Sequence, residues 1–185
     1  MKAVVVPSAP VLLPEYAGLT DPVAEMRAAA LAAVGWLTSS GPVRVLGDDL
    51  GQRVGAHLLA VARGAGDPHA DNLLVVADGS ARRGEKAPGY LDERATGFDE
   101  TVGAALRQGD PGALAVLDED LGAQLLAGGV PALRALGSLV LDHLAHRPDT
   151  GEPRVQAQVD YDADPFGVQY WVVRWRIDEG AACDC

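Results

Sequence analysis

NLLVVA, residues 72–77, is an unbroken apolar run closed by Asp78-Gly79-Ser80. It is short, rich in branched side chains and free of polar alternation. Those features predict a strand covered on both faces, as in a parallel sheet. Two shorter runs precede it: KAVVV (2–6), stopped by Pro7, and VRVL (43–46), stopped by Gly47-Asp48-Asp49. Between the first two runs, Val23, Met26, Ala30, Leu31, Val34 and Leu37 recur at helical spacing, with Asp21 and Pro22 placed as N-cap and first helical residue. A second helix is predicted over 52–63, carrying Val54, Leu58, Leu59 and Val61. Strand, helix, strand, helix, strand predicts parallel strands joined by crossover helices.

Working outward, residues 91–107 are helical in period, with Phe98, Val102, Ala105 and Leu106 on one face. Asp110-Pro111 caps a short helix, Asp118 caps another over 119–127, Gly128-Gly129 breaks it, and Pro131 opens an apolar helix to about His146. After a polar loop at 147–153, the stretch 154–161 alternates. Val155, Ala157, Val159 and Tyr161 face one way; Gln156, Gln158 and Asp160 face the other. A second strand at 168–177 follows the loop Asp162–Gly167, which predicts an antiparallel hairpin. The expectation is one α/β domain over 1–178: three layers, a central mixed and mainly parallel sheet flanked by helices, and a C-terminal antiparallel hairpin. Residues 179–185 are expected to be a flexible tail, with Cys183 and Cys185 as free thiols.

The chain has 185 residues, 48% of them hydrophobic, and a formal net charge of −11. That length and apolar content support a substantial core. The acidic balance and the lack of any basic run exclude nucleic acid and anionic membrane as expected partners. The apolar N-terminus is interrupted by Pro7, Pro10 and Pro14, so it does not read as a signal peptide, and no run is long enough for a membrane span. A cytoplasmic protein without disulfides is expected.

Ligands of open α/β sheets gather at the carboxyl ends of the strands. The three strand ends offer Ser8, then Asp48 and Asp49, then Asp78-Gly79-Ser80 followed by Arg82, Arg83, Glu85, Lys86 and Tyr90. Ser8, Asp78, Ser80 and Tyr90 are the catalytic candidates. Asp48, Asp49, Arg82, Arg83, Glu85 and Lys86 are the ligand-binding candidates, with Arg82 or Lys86 suited to an anionic group. Each has a structural alternative: Asp48 and Asp49 capping a helix, Asp78 holding a turn, and the charges of 82–86 pairing among themselves. Asp48, Asp49 and Asp78 also suit a hard cation such as Mg²⁺ if they converge. His143 and His146 share a helix face, as a partial metal site or as caps for the helix end. His57 and His69 read as packing and turn residues. The aromatic cluster Tyr161, Phe166, Tyr170, Trp171 and Trp175 is core, or a homo-oligomer patch if one face stays open.

The pattern D-G-S-x-R-x-x-E-K-A-P-G-Y-L-D-x-R-A (78–95), followed by Phe98-Asp99 and GDPGALAVLDEDL (109–121), resembles a bacterial branch of the class III extradiol dioxygenase-like superfamily. V-P-x-x-P-x-L-L-P-E (Val6–Glu15) and D-x-D-P-F-G-V-x-Y-W (Asp162–Trp171) are similar to the same group. The superfamily includes protocatechuate 4,5-dioxygenases and Memo-like proteins. The resemblance implies an α/β core with a mixed sheet. In active members it implies Fe(II) held by two histidines and a carboxylate, with a further histidine as acid–base catalyst. At those places this chain has Ser8, Asp48 and Asp49, Ala81 after Ser80, and no acid over Ala127–Val130. Serine and alanine cannot replace imidazole on Fe(II). Two expectations follow. One is a non-catalytic or diverged member that binds a small molecule or a partner. The other is an enzyme of altered chemistry on a small polar or aromatic substrate, using Ser8, Asp48, Asp49, Asp78, Ser80, Arg82, Lys86 and Tyr90.

Overall fold

In a computed structural model, the structure describes residues 1–16, 18–146 and 154–178. The polar loop 147–153 and the cysteine tail lie outside the described residues. The elements are β1 (Lys2–Val6), α1 (Ala24–Thr38), β2 (Val43–Leu46), α2 (Asp49–Val61), β3 (Asn72–Val76), α3 (Arg94–Gln108), α4 (Pro111–Ala115), α5 (Glu119–Gln124), α6 (Val130–Ala145), β4 (Arg154–Ala163) and β5 (Tyr170–Asp178). Two short 3₁₀ turns, Pro10–Leu12 and Pro14–Tyr16, occupy the proline-rich segment after β1.

The strands form one mixed sheet in the order β2-β3-β1-β5-β4. β3 pairs in parallel with β1 and β2, and β5 pairs antiparallel with β1 and β4. Period-2 alternation divides the core into two layers. Val4, Val6, Leu74, Val76, Tyr170 and Val172 pack against α1 and α2. Ala3, Val5, Leu73, Val75, Trp171, Val173 and Trp175 pack against α3 to α6. The step from β1 to β2 passes outward over the place of β3, and the step from β2 to β3 comes back, yet α1 and α2 cover the same face. The two crossovers therefore have opposite hand, and one departs from the strong right-handed preference of such units.

Several local readings change, among them the start of α2, which lies at Asp49 rather than 52 because Asp48 is its cap. Asp21 does not cap α1: its carboxylate accepts from the Val23 amide (3.1 Å) and the Arg27 guanidinium (2.7 Å), and α1 starts later, after Val23. Asp92 likewise takes the Arg94 amide (3.0 Å), which delays α3 to Arg94. α5 stops at Gln124 because Leu126 adopts a left-handed φ of 56° and the Ala127 amide closes back on the Gly122 carbonyl. In β4 the register shifts between Val159 and Tyr161. This bulge turns Tyr161 to the α1 face, away from Val155 and Ala157.

The strand aromatics of the hairpin are covered on both faces, while Phe166 in its loop is 45% exposed. Trp171 and Trp175 are 1% exposed and Tyr170 6%, and the Trp175 indole donates to the Leu106 carbonyl (2.8 Å). Tyr170, Trp171 and Trp175 therefore offer no open surface for self-association, because the helices of both layers close over them.

Candidate functional site

Parallel register brings three strand ends to one level. Val6 pairs with Val76 and Leu46 with Val75, so Ser8, Asp78 and Asp48 each follow their strand by two residues. The ladder continues through the Ala77 amide to the Val6 carbonyl (2.9 Å), and then the Ser8 amide donates to the Asp78 carboxylate (2.6 Å). Burial raises the Asp78 carboxyl to about 7. The Ser8 hydrogen bond opposes that shift and the nearby Asp48 charge adds to it. An acid poised there both donates and accepts a proton near neutral pH.

Asp48 is the N-cap of α2, its Oδ1 accepting the Gly51 amide (2.8 Å). Asp49 opens the same helix and is exposed. One turn on, the Gln52 amide covers the Val45 (3.2 Å) and Gly47 (3.3 Å) carbonyls at the outer edge of β2. Opposite, the Gly128-Gly129 turn leads into α6. A Cβ at Gly129 would lie 2.6 Å from the Asp78 backbone nitrogen, so only glycine lets this turn close on the end of β3. Between the two helix starts is a cavity of about 330 Å³. Val45, Leu46, Gly47, Asp48 and Gln52 line one side, and Gly128, Pro131, Ala132 and Ala135 the other. Asp48→Ala is expected to destabilise the fold by about 1 kcal/mol through loss of the cap. It should also lower the Asp78 pKa by removing a like charge, which an NMR titration of the Asp78 carboxyl would show.

The segment 79–90 does a different job. Its start is laced to the hairpin loop: the Gly79 amide donates to Gln169 O (2.9 Å), Gln169 N to Ser80 O (3.0 Å) and Arg83 N to Gly167 O (3.2 Å). Ser80 is fully buried, and both its amide (2.8 Å) and its hydroxyl (2.5 Å) donate to Asp99. Arg83 bridges Asp99 (3.2 Å) and Asp164 (2.7 Å). Burial raises the Asp99 pKa against the pull of Ser80 and Arg83. Arg82 runs beside Gly89 and Leu126, its Nε buried without a hydrogen-bond partner. Glu85 and Lys86 are exposed, and Tyr90, at φ 59°, is 75% exposed.

Ser8, Asp48 and Asp78 are thus brought together, but of the candidate residues only Asp48 lines the cavity; Ser8, Asp49, Asp78, Ser80, Arg82, Arg83, Glu85, Lys86 and Tyr90 do not. Sequence reasoning did not select Gln52, Pro131 or Asp99 as functional. Asp99 had a signal: it lies on the stripe Ala95, Phe98, Val102 and Leu106, where an acid must find partners. Compared with known protein families and with curated proteins, the chain matches none.

The residues at the positions of the implied iron ligands do not fit Fe(II). The Ser8 amide is tied to Asp78, Asp48 caps α2, and Ala81 and Ala127–Val130 carry no donor side chain. Among the described residues, no three His, Cys, Asp or Glu side chains gather as a metal-holding group. His57 is a half-buried residue of α2, the His69 amide closes a turn on Asp67 (2.8 Å), and His146 Nδ1 meets the Asp142 carbonyl (2.8 Å) at the end of α6. No helix among the described residues is long and apolar enough to cross a membrane.

Proposed function

We propose that this chain is a small-molecule-binding protein on an extradiol-dioxygenase-like scaffold that does not cleave rings with iron. The observation that carries the reading is the cavity at the carboxyl end of β2, on the edge of the parallel sheet where such folds collect ligands. Its walls are largely apolar, and its polar groups are the Asp48 carboxylate and the Gln52 amide. Asp48 spends Oδ1 on its own helix and keeps Oδ2 as an acceptor. The matching ligand is flat and apolar in body, neutral or cationic, and carries a hydroxyl or amine donor. The sequence motifs of the superfamily favour a hydroxylated aromatic.

The test is a titration of simple catechols and phenols into the purified protein, with a chelator present, followed by protein-observed NMR. Saturable binding is expected, with shifts at Gly47, Gln52 and Ala132. Ala132→Trp, which fills the cavity from α6, should weaken binding at least tenfold. Absence of binding by every hydroxylated aromatic would overturn the ligand class. Stoichiometric iron with ring cleavage after anaerobic reconstitution would overturn the reading as a whole. A second reading, an enzyme of altered chemistry, is favoured by Asp78 alone: a part-buried acid poised near neutrality, close to the Asp48 that lines the cavity, suits general acid–base work.

A further inference from the structure

The two edges of the sheet are treated differently. β2 is short and closed. Val43 exchanges hydrogen bonds with the 65–67 loop (2.9 Å to Ala65 O, 2.9 Å from Asp67 N), and Gln52 covers the carbonyls beyond. β4 is 10 residues long and lies at the other edge of the sheet, where no described strand pairs with its outer side. Which of its groups face outward follows from β5. Ile177 N donates to Met1 O (3.0 Å) and the Met1 amine to Ile177 O (3.4 Å), so the odd-numbered residues of β5 turn their backbone polar groups toward β1. Val155, Ala157 and Val159 stand opposite Ile177, Trp175 and Val173, and therefore turn theirs away from β5 to the open edge. No described residue bonds them there.

The five residues at that edge read Val155-Gln156-Ala157-Gln158-Val159, the same in both directions. We propose that β4 pairs with β4 of a second copy, antiparallel about a two-fold axis through Ala157. Self-complementarity is what a two-fold contact requires. In this register Ala157 faces its own counterpart, Val155 faces Val159, and each of the three exchanges both backbone groups. Gln156 faces Gln158, so two exposed amide side chains meet as hydrogen-bonding partners. Val159, 38% exposed, gains an apolar neighbour.

Charge is kept out of the segment. The acids that follow it are neutralised within the chain, Asp160 by Arg174 (2.7 Å) and Asp162 by Arg107 (2.8 Å). The bulge after Val159 ends the regular ladder and sets one limit of the contact. At the other limit the left-handed cap of α3 packs against Val155, where a Cβ on Gly109 would lie 2.8 Å from the Val155 oxygen. A ladder this short gives a weak, reversible dimer. Because each copy carries a net charge of −11, the dimer should tighten as salt rises.

Sedimentation equilibrium on the full chain tests this. The wild type should be a dimer at about 100 μM. Gln156→Lys with Gln158→Lys places like charges opposite each other and should weaken the dimer about tenfold or more. Gln156→Glu with Gln158→Lys places opposite charges across the axis and should restore it. Ala157→Pro deletes only an N–H that faces the open edge and should yield a monomer with unchanged circular dichroism. A monomeric wild type at that concentration overturns the proposal. So does a dimer indifferent to both the lysine pair and Ala157→Pro, or one that the Glu/Lys pair fails to restore. If a variant does not fold, the Glu/Lys and Lys/Lys pairs still decide, since both change only exposed side chains.

Discussion

Asp99→Ala is expected to destabilise the protein by about 3–5 kcal/mol, a large part of the stability of a domain this size. Asp99 is 2% exposed and takes three donors: the Ser80 amide, the Ser80 hydroxyl and the Arg83 guanidinium. Alanine leaves the first two buried without an acceptor, at a cost of about 1–3 kcal/mol each. Arg83 suffers less, because it retains Asp164 and is partly solvated. Urea denaturation should show a lower midpoint at an unchanged slope. Ser80→Ala alone should cost about 1 kcal/mol. The double variant should lose less than the two single losses combined, because one substitution removes donors that the other leaves unsatisfied. Strict additivity would mean that Asp99 acts through some other contact.

Asp78→Asn is expected to stabilise the protein above pH 7 and to leave it unchanged near pH 4. Folding raises this carboxyl from its ordinary 3.8 to about 7. Between those values the folded protein holds a proton that the unfolded chain has released. Stability therefore falls as pH rises through this window and levels off above it. The full shift corresponds to about 4 kcal/mol, and relaxation around a part-buried group reduces the expected gain for asparagine to about 2 kcal/mol. Asparagine keeps Oδ1 as the acceptor for the Ser8 amide, so local geometry survives. Thermal melts of both proteins from pH 4 to 8 read this directly: the curves should coincide at the acid end and separate toward neutrality. Parallel curves across the whole range would show that Asp78 ionises without penalty, and the case for an acid–base role there would go with it.

Much of the architecture was legible because each element carries its own local signal. The runs at 2–6 and 72–77 are apolar nearly throughout, and β1 and β3 are buried on both faces, whereas the short edge strand at 43–46 carries Arg44 and buries only Val43. Asp110 and Asp118 announce their helices and cap them, accepting amides at 2.9 Å. The candidate site was legible in part. Ser8, Asp48 and Asp78 end their strands and meet, as strand direction requires. The dense charge of 79–90 left two readings open, since charge density does not distinguish a ligand site from a polar seam; in the structure Ser80 and Arg83 answer Asp99, nineteen and sixteen positions on.

By itself, the sequence determined which segments are strands and helices and the carboxyl edge where polar residues collect, because these depend on neighbours within a few positions. Tertiary structure alone decided the strand order, the opposite hands of the two crossovers, the bulge that turns Tyr161, the pairing of Ser80 with Asp99, and the cavity between α2 and α6. These depend on packing between segments far apart in the chain, where shape and desolvation select a partner that no local pattern specifies.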